Sequence, residues 1–419
     1  MMQTQRFMIW LLVLILCGLG ELSGVDHWRA LAQLSPGPLR VGTSGDYAPF
    51  SLRGEDGTSH GFDVEIARAY AADRGRVIEF IPFRWPELQA RLLKGDFDVA
   101  MSGVTVRGDR LAAAPMTRTV ARADAVLLIR PGTAGITHDW TALMIGVNRG
   151  GHLEQVARAR LPQANIVAVD NNLSLPNLLT LGQVDAIVVD ALEAAPQFHI
   201  AQVLSQDRKA YWVSPKALGL ADDLDAWLEE RETDGSLNRW REQFLGKPSP
   251  SEIDPRLLRV TDLIGRRLML MPAVAWAKQA AGRAVEDPVR EDVVEKSANR
   301  AAREAGLDEA AYHTFVRVQF GAAKLVQKAA LTAGSSHSGR TPEEGQKELV
   351  QVLRPAIDRI DRAILGELAR LPPIDGPAEA LVAALRADAP VPGIDEDVLG
   401  RLAEALLRLT KKPKGETRP

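Results

Sequence analysis

The spacing of apolar and polar residues changes twice along this chain of 419 residues. An opening apolar run, Phe7 to Leu19, contains no charged residue and follows Arg6. A bilayer span needs roughly 20 apolar residues, so this shorter run fits the core of an export signal, placed at residues 1–32. Ala30-Leu31-Ala32 has the small-x-small pattern of a cleavage site. A cut after Gly20 is a second reading, and an uncleaved membrane anchor a third.

From Leu39 to Gly246, short β-rich runs alternate with helical spacing. Leu39-Arg40-Val41, Val77 to Ile81, Phe97 to Met101, Ala123 to Ile129, Met144 to Val147, Ile166 to Val169 and Ala186 to Val189 read as strands. Phe62 to Ala72 and Pro86 to Leu93 carry helical apolar spacing. Such alternation predicts parallel sheets flanked by helices, with ligands at the carboxyl ends of the strands. The first unit is placed at 38–246 and a Pro/Ser-rich linker at 247–255. Beyond it the β signal stops. Leu257 to Leu270, Pro288 to Ala305, Glu309 to Leu331, Glu343 to Leu371 and Pro377 to Leu409 have helical periodicity, which makes 256–411 an all-helical unit. Residues 412–419 form a charged tail.

Composition narrows the chemistry. Charged residues make up 25% of the chain and the net charge is −3, so nothing calls for nucleic acid or an anionic membrane. Aromatic content is 5%, too low to suggest a base-stacking platform. The one cysteine, Cys17, lies in the signal segment, which removes disulfides and thiol chemistry from the mature protein. The seven histidines show no ligand spacing, so no metal and no cofactor is expected.

Four residues of the rear half stand out. Lys278 follows Arg267 by 11 positions, close to one helical stripe, although Pro272 must kink or break a helix between them. Asp287-Pro288 reads as an N-cap with proline at the first helical position, which puts Arg290 and Glu291 in the first turn. Gln327 lies 37 residues after Arg290. This spacing, with Val285-Glu286-Asp287-Pro288-Val289-Arg290-Glu291 and Ala323-Lys324-Leu325-Val326-Gln327, resembles the all-helical chorismate mutases of the secreted subclass. The resemblance implies that Arg267 and Arg290 bind the two substrate carboxylates. It also implies that Lys278 and Gln327 contact the ether oxygen and that Glu291 holds a ring hydroxyl. Arginine forks suit carboxylates, and donors aimed at a breaking ether stabilise its growing charge. The subclass also carries a later arginine. An ungapped alignment puts Ala363 there, leaving Arg362 or Arg359 as the substitute, or either as a surface partner of Asp358 or Asp361.

The front half resembles the two-lobed solute-binding proteins of amino-acid uptake. It does so through Asp46-Tyr47-Ala48-Pro49-Phe50, Gly61-Phe62-Asp63-Val64 and Phe97 to Thr105 followed by Arg110. Those proteins would cross to their second lobe near Val120 to Ala125 and return near Lys216 to Leu218. Trp85-Pro86, Ala100-Met101-Ser102-Gly103, Asn148 before Gly150-Gly151, Asp170-Asn171-Asn172 and Asp190-Ala191-Leu192-Glu193-Ala194 are similar to exported cyclohexadienyl dehydratases. That resemblance implies Glu193 as the acid, Arg110 on a carboxylate, and Tyr47, Trp85, Ser102, Thr105, Asn148 and Asp190 around the ring. Burial would keep Glu193 protonated for this role. His152-Leu153 departs from a Thr-Asn pair in those enzymes, and Arg149 from a proline.

Together the resemblances imply an α/β two-lobed periplasmic-binding-protein-like domain followed by an all-α chorismate mutase domain. The expected protein is a periplasmic, bifunctional enzyme of phenylalanine biosynthesis. Chorismate and prephenate or arogenate would be its small-molecule substrates. The alternative is a solute-sensing module fused to a mutase.

Overall fold

The computed structural model describes residues 37–132, 140–246, 253–334, 340–371 and 378–410. The expected signal segment, the cysteine, most of the linker and the charged tail lie outside them. No helix among the described residues is long and apolar enough to cross a membrane.

The first lobe begins with β1 (Leu39–Thr43), then β2 (Asp46–Tyr47), β3 (Ser51–Arg53) and β4 (Ser59–His60). Helix α1 (Phe62–Asp73), β5 (Ile78–Pro82), α2 (Leu88–Lys94), β6 (Val99–Ala100) and α3 (Gly108–Ala113) follow. A crossing strand, β7 (Ala121–Arg122), leads into the second lobe. That lobe holds β8 (Ala125–Ile129), β9 (Met144–Asn148), α4 (His152–Arg160), β10 (Asn165–Val169), α5 (Leu175–Thr180), β11 (Ala186–Asp190) and β12 (His199–Ser205). The chain returns through β13 (Arg208–Lys209) and β14 (Trp212–Val213) and closes the first lobe with α6 (Leu220–Thr233) and α7 (Ser236–Leu245).

The sheets run β14-β6-β1-β5 in the first lobe and β10-β9-β11-β8-β12 in the second. They are mixed, which corrects the all-parallel expectation. β1 pairs in parallel with β5 and β6, and β9 with β10 and β11. β14, β8 and β12 run antiparallel to their neighbours because the chain changes lobes beside them. The return also differs from the expectation. β13 pairs antiparallel with β7, so the second crossing lies at Arg208–Lys209, before Lys216. These charged positions hid a strand whose side chains are nevertheless buried.

The rear half is α8 (Pro255–Met269), α9 (Met271–Ala280), α10 (Pro288–Glu304), α11 (Glu309–Thr332), α12 (Pro342–Glu348), α13 (Arg354–Arg370), α14 (Ala378–Asp388) and α15 (Glu396–Thr410). Pro272 ends the run expected from Arg267 to Lys278: one helix stops at Met269 and a new one starts at Met271. Asp287 caps α10 by accepting from the Arg290 N–H at 3.0 Å. The last expected helix is two, separated at Ala389 to Asp395, where Pro390 and Pro392 cannot continue it.

The two halves share one apolar cluster. Val106, Leu111 and Ala210 of the front pack with Leu257, Leu263, Leu268 and Leu385 of the rear. At its edge lies a buried charge network. Asp262 accepts from Arg208 Nη1 at 2.7 Å, Arg259 Nη1 at 2.9 Å and Arg266 Nε at 3.1 Å. Arg266 also donates to the Thr117 carbonyl at 2.7 Å, and Arg122 to Asp388 at 2.7 Å. Asp388 approaches α8 at Gly265, where a Cβ would fall 1.9 Å from the Asp388 carbonyl oxygen.

Burial alone would raise the Asp262 carboxyl. The guanidinia of Arg266, Arg208 and Arg259 outweigh it and hold the group well below the usual carboxylate range. Its stabilising contribution is therefore complete above that range and is lost as pH falls below it. Replacing Asp262 by Asn leaves three arginines short of their anion. We expect a loss of about 3–5 kcal/mol in denaturant unfolding, with the deficit shrinking in acid.

Candidate active sites

The strands deliver the front residues to one place. Ser44 and Asp46 follow β1, Ser102 follows β6, Asn148 ends β9, Asn171 and Asn172 follow β10, and Glu193 follows β11. All are at carboxyl ends, and Ser44, Asp46, Asn148, Asn171 and Asn172 face a cleft between the lobes. The outer cleft is a cavity of about 450 Å³ lined on one side by Asp46, Arg84 and Trp85, and on the other by Asn148, Arg149 and Asp170. An inner, much smaller cavity of about 20 Å³ is lined by Tyr47, Trp85, Thr105, Asn148, His152 and Asn172. Tyr47 meets Trp85 edge-on, with ring centroids 5.5 Å apart.

Glu193 is held at both carboxylate oxygens. Asn172 Nδ2 donates to Oε1, and the Asp190 backbone N–H donates to Oε2 at 3.2 Å. Glu193 is half-buried. Burial, then the neighbouring Asp190 charge, pushes this carboxyl well above the ordinary glutamate value. Asp190 lies beneath it, fully buried, with Oδ2 2.8 Å from Lys209 Nζ. Burial raises Asp190 to about 6, against the opposing pull of Lys209. The Lys209 ammonium also donates to Thr105 Oγ1 at 2.9 Å and Tyr47 Oη at 3.3 Å.

Four expected contacts are placed differently. Ser102 is fully buried, and its hydroxyl is engaged with Ser51 at 2.6 Å and Ser44 at 3.0 Å. Arg110 donates to the Thr105 carbonyl at 2.8 Å and stacks on Trp212. Ser102, Arg110, Asp190 and Glu193 line neither cavity. Burial pushes Arg110 down to about 9, so it remains charged at neutral pH. His152, by contrast, lines the inner cavity, with Nε2 2.8 Å from Asp207 Oδ2. Burial outweighs Asp207 and lowers the imidazole, so it is neutral near pH 7.

The rear residues form a second cluster. Arg267, on α8, donates to Asp361 Oδ1 at 2.8 Å, and its buried Nη1 has no partner among the described residues. Lys278 donates to the Val285 carbonyl at 2.6 Å. Burial lowers its ammonium, with Asp287 and Glu291 pulling the other way. Gln327 is buried against Met271, and its Oε1 is unpaired among the described residues. Glu291 pairs with Lys324 at 3.0 Å. Arg354, at the start of α13, feels Arg290 and Arg283 and also acts on Lys278.

Arg362 does not join this cluster. It is exposed, donates to the Asp358 carbonyl and lies with Arg359 beside Asp222 of the front half. Arg359 donates to the Leu111 carbonyl of α3 at 3.2 Å. The helical period explains the split. Arg354 and Asp361 are two turns apart on one face of α13, while Arg359 and Arg362 share another.

Residues 39–247 match the profile described as bacterial extracellular solute-binding proteins, family 3. Cyclohexadienyl dehydratase of Pseudomonas aeruginosa is 32% identical over 51% of this chain and 84% of that protein. The chain belongs to the family 3 solute-binding proteins. Residues 251–328 match the profile described as chorismate mutase type II, so a chorismate mutase domain follows the solute-binding fold. L-cystine-binding protein TcyJ of Escherichia coli is 28% identical over 43% of this chain and 70% of its own length. A crystal structure described as the ancestral amino acid-binding protein AncCDT-1, a precursor of cyclohexadienyl dehydratase, is 26% identical. It covers 53% of this chain and all of that one, with a TM-score of 0.48.

Sequence reasoning missed two cations of this solute-binding and mutase pair. Lys209 was legible only as the last of three charges, Asp207-Arg208-Lys209, before the apolar run Ala210 to Val213, the pattern of a buried strand carrying inward charge. Arg354 was hidden by reading the helix from Glu343 as one piece; a π-helical turn at Leu349–Leu353 shifts its phase. Lys209→Met would leave Asp190 buried without its cation. We expect about 3–5 kcal/mol less stability of the front domain, read from its tryptophan fluorescence during urea unfolding.

Proposed function

We propose that this chain is an exported bifunctional enzyme. Its rear helices rearrange chorismate to prephenate. Its front cleft converts prephenate to phenylpyruvate or arogenate to phenylalanine. The observation that carries the front assignment is Glu193. Its carboxyl lies behind Asn172, which lines the inner cavity, is held at both oxygens and is raised by burial, which suits a group that must arrive protonated. The similarity to a cyclohexadienyl dehydratase supports the same reading.

In the front step, Glu193 gives its proton to the ring hydroxyl, which departs as water. The ring carboxylate leaves as carbon dioxide, and the electron pair of the broken C–C bond completes the aromatic ring while the C–O bond opens. Tyr47, Trp85, Thr105 and Asn148 flank the ring. Arg110 acts from behind Thr105, fixing the loop and adding positive charge under the substrate carboxylate. Lys209 keeps Asp190 ionised beside the acid.

In the rear step, Arg267 and Arg290 take the two carboxylates. Arg267 has an unsatisfied Nη1 to offer, held in place by Asp361. Arg354 completes the cationic wall in place of Arg362. Lys278 spends one proton on the Val285 carbonyl and keeps two for the ether oxygen, joined by the Gln327 amide once its Nε2 turns from the Ala323 carbonyl and the Met271 sulfur. Glu291 holds the ring hydroxyl. No covalent intermediate is required, so positioning and electrostatics carry the rate.

The second reading is a solute-binding module fused to a mutase. The relatives named for binding L-cystine and L-arginine favour it. Chorismate supplied to purified protein separates the two. We expect prephenate to appear first and phenylpyruvate after it; prephenate that accumulates indefinitely leaves only the binding module. Glu193→Gln should keep the first step and lose at least about 100-fold in the second. In the wild type the second step should slow as pH rises through the elevated Glu193 pKa, because its proton is lost. Lys278→Ala should lower kcat for chorismate by about 100-fold or more, measured by loss of chorismate absorbance.

A further inference from the structure

Adjacent residues on two elements point to opposite sites. On β13, Arg208 turns to the rear helices and Lys209 to the cleft, as strand alternation requires. On α8, Arg266 turns to the front half and Arg267 to the mutase cluster. Both crossing strands are held from the rear: Arg122 of β7 by Asp388, and Arg208 of β13 by Asp262. Thr119 Oγ1, just before β7, donates to Asp262 at 3.1 Å and accepts from Arg266 Nη2 at 3.1 Å. The first lobe is tied down as well, with the Gly108 Cα packed where a Cβ would fall 2.3 Å from the Met269 carbonyl oxygen.

The second lobe is different. No hydrogen bond or ion pair among the described residues joins positions 125–205 to the rear helices. These contacts tie the first lobe to the helices, and the chain enters and leaves the second lobe through β7 and β13. In this structure the lobes touch across the cleft, with the Asn172 N–H donating to Asp46 Oδ2 at 3.3 Å.

We infer that Arg122, Arg208 and Arg266 are positioning residues that couple cleft closure to the mutase cluster, so the state of the front cleft sets chorismate affinity in the rear. Opening the cleft must change the dihedral angles of β7 and β13. Arg122 and Arg208 ride on those strands, and their partners Asp388 and Asp262 ride on α14 and α8. Asp262 is five residues from Arg267 on one helix. The element with two arrangements is the hinge, and both sites bias it. A ligand that shuts the cleft would thereby tune production of the compound the cleft consumes.

The inference rests on the mutase reading for its kinetic readout only. A disulfide between Asp46→Cys and Asn172→Cys locks the cleft shut without needing a front ligand, and the full chain is used oxidised and reduced. Bond formation is verified by mass. We expect KM for chorismate to differ at least about 5-fold between the two states. Hydrogen exchange of residues 255–269 should change with it. Adding Arg122→Met, whose side chain is partly exposed, should shrink the kinetic difference to under about 2-fold. Equal KM and equal exchange in the two states overturn the coupling. A difference that survives Arg122→Met in full overturns its assignment to this link. If neither state rearranges chorismate, the mutase reading fails, and exchange alone decides the coupling.

Discussion

Asp262 is an anion removed from water, and three guanidinia are what make that tolerable. An unpaired carboxylate there would protonate or force the helices apart. Because it is paired, α8 can lie flat against the crossing strands of the front domain. The apolar cluster of Val106, Leu111, Ala210, Leu263 and Leu268 then closes over the contact. The mutase cluster and the cleft take their relative placement from this one charge. Apolar burial supplies most of the contact's free energy, but the ion network fixes its register, since a slide of one helical turn would strand every partner.

The same logic runs at smaller scale in the cleft. Lys209 and Asp190 pair beneath the site, while burial and the Asp190 charge push the Glu193 carboxyl well above the ordinary glutamate value. Two carboxyls three residues apart are thus shifted differently by their surroundings, since only Asp190 has a cation against it. His152, which burial keeps neutral, lies against the Asp207 carboxyl at 2.8 Å. The charge of Asp207 also acts on the buried Arg110 guanidinium.

How much of this was legible in the sequence depended on range. Asp287 and Pro288 announced the start of α10, and Pro272 the break after α8, because caps and proline act within a few residues. Glu193 and the strand-end polar residues were visible because strand, turn and chemistry sit together. Arg362 was misplaced because one helical face cannot be chosen without its neighbours, and a π turn upstream moved the phase. Lys209 was overlooked because its burial depends on Asp190, Thr105 and Tyr47, which lie 19 to 162 positions away. The interface was invisible for the same reason: alternation along a strand predicts two faces but not that the second face belongs to another domain.

The close approach at Gly265 has an evolutionary side. With a carbonyl oxygen 1.9 Å from where a methyl group would stand, the position tolerates no side chain. Gly108 imposes the same demand from the front. A catalytic module joined to a carrier by a loose tether could be swapped for another by recombination at the linker. This pair could not. Any replacement module would need bare backbone at that spot and an acid one helical turn before it, so an exchange at the linker alone would not rebuild this contact.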